Sequence, residues 1–176
     1  MLRHHAGFTL IELLMTLAIS ALLAGVAVPA MGRLQSRMAA SSAHHLVMTT
    51  FAAARLQAVS QGRPVTVCPG DATRGCRTGG HWEGGWIVFA DHDGDSQLGP
   101  GDDLLRTEDP ISPRLAIQSS AGRPRAQFRP NGMSGGANLT LRICADGAVQ
   151  SAVILSNSGR ARAATSSERA AMPACS

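Results

Sequence analysis

Residues 13–32 (LLMTLAISALLAGVAVPAMG) form an apolar run without a single charge. As a helix, such a run rises about 30 Å, enough to cross the core of a bilayer. From Met31 to about Gln61 the pattern changes without losing its helical period. Val47, Phe51, Ala54 and Ala58 recur at i, i+4, i+7 and i+11 with Met48 beside them, while Arg33, Gln35, Arg37 and Ser41 take other faces. This predicts one long helix that is apolar all round at first and amphipathic afterwards. Gly62-Arg63-Pro64 ends it. Beyond Gly62 the sequence breaks into short runs between Gly, Pro, Asn and Asp turns, predicting strands over 64–68, 86–90, 103–106, 115–118, 126–128, 139–144 and 148–155. Asp146-Gly147 between the last two reads as a tight hairpin turn. The expected fold class is α+β, with an antiparallel sheet, in two small sheets, against the C-terminal half of the helix.

A chain of 176 residues allows one domain and an appendage. Few aromatic residues and no Tyr point to a modest core of Ala, Val and Leu, in which Trp82 and Trp86 are packing residues. All sixteen basic residues are Arg, so every cation can fork onto a carboxylate or phosphate. The net charge of +4 hides an asymmetry. Residues 64–113 hold three Arg against nine acids, whereas residues 114–176 hold eight Arg against Asp146 and Glu168. Such a basic end suits an anionic partner. Catalytic signatures are missing: no G-x-S-x-G, H-E-x-x-H or P-loop occurs, and the histidine pairs His4-His5 and His44-His45 make no triad. His44 and His45 are expected to be solvated helix residues.

Cys68, Cys76, Cys144 and Cys175 form no CxxC pair and do not alternate with His at zinc spacing. With an apolar N-terminal run of membrane-crossing length, an even count favours two disulfides over metal ligands; three pairings are possible, of which proximity favours Cys68–Cys76, leaving Cys144–Cys175. Asp91, Asp93 and Asp95 begin like a calcium loop. Ser96 then stands where Gly is needed and Asp102 where a bidentate Glu is needed, so a surface turn is the reading. No cofactor and no metal ligands are expected.

The leader MLRHHAG is short and basic. Val28-Pro29-Ala30 could pass for ordinary signal cleavage, but Glu12 at the edge of the apolar run asks for a function. Gly7-Phe8-Thr9-Leu10-Ile11-Glu12 resembles the type IV prepilin signal. The resemblance implies cleavage by prepilin peptidase between Gly7 and Phe8, N-methylation of Phe8, and pairing of Glu12 with the terminal amine of a neighbouring pilin. Pro29 matches that family's helix kink. The implied segments are a leader (1–7), a hydrophobic inner-membrane and assembly helix (8–32), its amphipathic half (33–62) and a β-rich head (63–176).

The rest resembles the FimT/GspH-like minor pilins and pseudopilins, a type IV pilin fold. The pieces are Arg55-Leu56-Gln57-Ala58, Trp86-Ile87-Val88-Phe89-Ala90-Asp91, Leu104-Leu105-Arg106, Phe128-Arg129-Pro130-Asn131-Gly132 and the stretch Val153 to Arg162. Two Arg two residues apart in extended chain project the same way, and a glycine before them allows close approach of a phosphate. Gly159, Arg160 and Arg162 are thus the candidate DNA-binding residues, as in the G-R-x-R motif of FimT-type pilins, with Arg129, Arg142 and Arg169 as candidate extensions. The resemblance implies capture of extracellular DNA, indifferent to base sequence, for natural transformation. A purely structural minor pilin or type II secretion pseudopilin is the rival reading.

Overall fold

The computed structural model describes residues 9–175. One helix, α1, runs Leu10–Gln61. It starts with a reciprocal cap: the Thr9 amide donates to a Glu12 Oε2 at 3.5 Å, and the Glu12 amide to Thr9 Oγ1 at 3.3 Å. It ends at Gly62, whose φ of 65° is the left-handed turn that stops helices. Two compact units divide between Gln35 and Ser36. In the first, Leu10, Leu13, Leu14, Leu17, Leu22 and Val26 are all exposed. This stretch is long and apolar enough to cross a membrane.

The second unit contains the core. Ala40, Ala43, Val47, Phe51, Ala54 and Ala58 make a buried stripe on α1. Two Ala stand on each side of Val47 and Phe51 there, so the strands can approach the helix closely. The expected strands are present, most of them one or a few residues longer. The first sheet contains β1 (Val65–Asp71), β2 (Gly75–Cys76), β3 (Trp86–Ala90), β4 (Asp103–Glu108) and, paired with β1, β6 (Ala126–Phe128). The second runs in the order β5 (Leu115–Ser119), β7 (Leu139–Ala145), β8 (Ala148–Leu155), β9 (Ala161–Ala163). All these pairings are antiparallel. Asp146 and Gly147, with φ of 52° and 74°, make the β7–β8 turn, both central residues being left-handed. Trp82 and Trp86 are wholly buried, and Phe51 meets Trp82 edge-on with centroids 6.1 Å apart. Burying a side chain the size of Phe51 contributes roughly 2–3 kcal/mol.

Two elements escape the periodicity argument. β9 is three residues in an Ala-rich stretch, held by pairing Ile154 with Arg162. The helix α2 (Ser166–Ala170) is capped by Thr165 and Glu168. Arg162 therefore lies within a sheet strand, not after the last strand. His44 is also not solvated: it is half-buried, with Nδ1 2.7 Å from Ser151 Oγ, while His45 is exposed.

Candidate nucleic-acid interface

Gly159 is buried, with φ of 77°. A Cβ there would lie 2.0 Å from the Gly132 carbonyl oxygen. That same oxygen accepts a hydrogen bond from Arg55 Nε at 2.9 Å. The close approach permitted by Gly159 is thus used by Gly132 inside the head. Three motifs far apart in sequence meet here: Arg55 on α1, the Arg129–Gly132 turn, and Ser156–Arg160. The junction is tied again by the Ser134 amide donating to Asn157 O at 2.8 Å. The Arg160 carbonyl accepts from both the amide and the hydroxyl of Ser156, at 3.0 and 3.2 Å.

Arg160 leaves this knot exposed, and among the described residues its guanidinium has no hydrogen bond or ion pair. With Arg55 it lines an open groove of about 440 Å³ whose floor includes Met48, Phe51 and Leu56. Arg162 flanks Ala161 on the other side. Its guanidinium forks onto Glu168, with Nη1 to Oε2 at 2.9 Å and Nη2 to Oε1 at 2.7 Å. Hydrogen bonds from Arg162 and then from Thr165 hold the Glu168 carboxyl down to about 2. The pair holds Arg162 protonated more firmly than usual.

The remaining arginines of the basic third divide sharply. Arg142 donates to the Pro173 carbonyl at 2.6 Å and to Gln118 Oε1 at 3.2 Å, so it anchors the C-terminal tail. Arg169 donates to the Gln150 carbonyl at 2.7 Å. Arg123 reaches the Ala137 carbonyl and Ser134, and Arg125 the Ser96 carbonyl. Arg129 is exposed, with its guanidinium next to Gly135. Arg160 is therefore the exposed cation that shares a groove with Arg55, while Arg129 and Arg114 are exposed elsewhere in the basic third. Arg55 was not legible as a site residue from spacing, although it heads one of the resembling motifs.

The acidic loop is built differently. Asp91 is fully buried and accepts from Thr66 Oγ1 at 2.9 Å, Gln127 Nε2 at 2.8 Å, and the amides of Gly94 at 2.8 Å and Ser96 at 3.1 Å. Asp102 takes the amides of His92 and Gly99, both at 2.8 Å. Ligand oxygens of Asp91, Asp93 and Asp95 fall within 4.8 Å of one another, but those of Asp91 already hold the loop closed. Disulfides join Cys68 to Cys76 and Cys144 to Cys175. The second ties the tail to β7. Gly7 and Phe8 lie outside the described residues, and Glu12 takes part in the cap of α1.

Comparison with known proteins agrees with this architecture. A family model described as type II transport protein GspH matches residues 44–159, and one for the prokaryotic N-terminal methylation motif matches residues 2–28. The pilin-like protein PilA1 of Thermus thermophilus is 27% identical over 161 residues, covering 89% of this chain and 96% of its own. Two crystal forms of the type IV minor pilin FimU of Pseudomonas aeruginosa share the fold. One has a TM-score of 0.56 at 22% identity, covering 72% of this chain and 94% of its own; the other has 0.57 at 21%, covering 77% and 92%. Matched over most of its head by the family model and over its N-terminus by the methylation motif, the chain belongs to the GspH family, pilin-like subunits with the type IV minor pilin fold.

Proposed function

We propose that this subunit is a minor type IV pilin that binds extracellular DNA through phosphate contacts centred on Arg160, for uptake in natural transformation. The supporting observation is the exposed, unpartnered Arg160 guanidinium rooted in the buried Gly159–Gly132 knot. Because the backbone beneath Arg160 is already fixed, only its side chain, and not a loop, has to be ordered when it meets a phosphate. Arg55 adds positive charge in the same groove, and Arg162 joins only by exchanging Glu168 for a phosphate. Guanidinium-to-phosphate contacts carry no base information, so binding is indifferent to sequence. On this reading the apolar half of α1 anchors the subunit in the inner membrane with its head in the periplasm. Prepilin peptidase cleaves after Gly7, Phe8 is methylated, and Glu12 leaves its cap to meet the amine of another pilin during assembly.

The rival reading, a structural subunit without DNA binding, is favoured by one observation: most arginines of the basic third hold the head together. Gel shifts of residues 33–176 with duplexes of unrelated sequence separate the two. Under the DNA reading all duplexes bind alike, and Arg160→Gln flattens the slope of log affinity against log salt by about one unit. No binding at low salt by the unsubstituted head leaves the structural reading.

A further inference from the structure

A second basic site lies elsewhere on the head, on the α1 stripe formed by Arg37, Ala40, Ser41 and His44. These residues face Gln150 and Ser151 of β8 across an open cavity of about 330 Å³. Its polar lining is Arg37, Ser41, His44, Gln150 and Ser151, with no carboxylate. Arg37 is exposed and makes no hydrogen bond or ion pair among the described residues. Arg169 reaches this region from α2, donating to the Gln150 carbonyl at 2.7 Å while its Nε is buried without an acceptor. Cations and hydroxyls without an opposing acid make a receptor for a compact oxyanion.

Location narrows the choice of anion. Arg37 follows Gly32, the end of the charge-free run, by five residues, so the chain can carry it no farther than about 18 Å from that end. Met38, next in sequence, is an apolar side chain left 62% exposed. An exposed apolar residue beside arginines is the pattern of a segment lying at a lipid headgroup layer. The charge count agrees. Arg33 and Arg37 stand beyond the apolar run and only Arg3 before it, the reverse of the usual bias for a translocated flank.

We propose that the cavity between Arg37, His44 and Ser151 seats the phosphate of an anionic membrane phospholipid. The inference rests on residues 13–32 being a membrane anchor, and it is independent of DNA binding at Arg160. Ser151 Oγ, 2.7 Å from His44 Nδ1, and Ser41 offer hydroxyls, and Arg37 closes over the bound oxygens. Burial first, and then the charges of His45 and Arg169, push the His44 imidazole down. A phosphate in the cavity reverses that, so His44 reports occupancy. His45, exposed one residue away, reports only the general potential of the bilayer.

The test places the full chain in nanodiscs of phosphatidylglycerol or of a phosphate-free galactolipid and titrates both histidines by NMR. In phosphatidylglycerol the His44 midpoint is expected to rise by about one unit more than that of His45, the effect of a charge at contact distance. Arg37→Gln is expected to abolish the excess without unfolding the head. An equal rise of both histidines, or an excess that survives Arg37→Gln, overturns the proposal. So does an excess produced in galactolipid discs by a DNA duplex or by millimolar inorganic phosphate when phosphatidylglycerol gives none. Failure of the chain to enter discs overturns the anchor and the lipid site together, whereas entry without the excess overturns the lipid site alone.

Discussion

The Asp91–Asp102 loop and the Ser156–Arg162 segment carry an acidic and a basic motif of the head, and they use their charges in opposite ways. In the acidic loop the chemically suggestive residue is the buried one: Asp91 accepts four hydrogen bonds, and Asp102 holds two backbone amides. In the basic segment the glycine is consumed by the fold, while Arg160 points outward without a partner. A cluster of like charges in a sequence thus says little about availability. What decides it is whether backbone amides and hydroxyls nearby need that charge.

The contrast is most easily broken at Asp91. Replacing it with Ala leaves Thr66, Gln127 and two amides without their acceptor. At about 1–3 kcal/mol for each donor stranded in the interior, the loss is at least about 3 kcal/mol. For a unit of this size the melting temperature falls by about 10 °C. The exposed Asp93 and Asp95 are expected to tolerate Ala within about 0.5 kcal/mol. A melting temperature raised by calcium in the unsubstituted head would show the loop to be a cation site, since a ligand of the native state stabilises by mass action.

Gly159→Ala comes next. Its methyl would sit 2.0 Å from the Gly132 oxygen at a φ of 77°, costing about 2–4 kcal/mol through left-handed strain and overpacking. Retained stability with lost DNA binding would instead restore the glycine to the phosphate site. This position also marks how far the sequence could be read. The long helix, the apolar stripe from Val47 to Ala58 and the Asp146-Gly147 turn follow from local periodicity and turn chemistry, and all stand in the structure. The Arg55–Gly132–Gly159 junction joins residues more than seventy positions apart, with |i−j| of 77 for the hydrogen bond. No local rule reaches across that distance. α2 was within reach, because Thr165-Ser166-Ser167-Glu168 is a capping box in plain sequence. β9 was not, since Ala161-Arg162-Ala163 has neither strand propensity nor apolar alternation, and only pairing with β8 makes it extended.

Arg160 and Arg162 look equivalent in sequence, and the structure separates them. If each guanidinium met one phosphate from a free state, the double change to Gln would flatten the salt slope by about two units. Because Arg162 is already forked onto Glu168, Arg160→Gln alone is expected to account for most of that change, and Arg162→Gln for a smaller part. Equal single effects would mean that the Glu168 pair opens readily when DNA arrives.

The smallest effect distinguishes these possibilities at their source. Glu168→Gln removes the competing carboxylate while leaving an oxygen able to accept from the Thr165 amide, so α2 keeps part of its cap. Arg162 is then available to phosphate at no Coulombic loss. DNA affinity is expected to rise a few-fold and the salt slope to steepen by up to about one unit. Acidification acts on the same carboxyl. Its folded-state value is lowered from 4.5 to about 2, so the pairing contribution to stability is fully present above the unfolded value and is lost as the pH falls through about 2. Between pH 5 and 8 the clamp therefore stays charged, and the Arg162 contribution to binding is expected to be flat. A binding profile that strengthens between pH 6 and 5 in the unsubstituted head, and loses that rise in Glu168→Gln, would mean that Glu168 titrates far higher than its hydrogen bonds imply. The clamp would then be a gate rather than a fixed part of the fold.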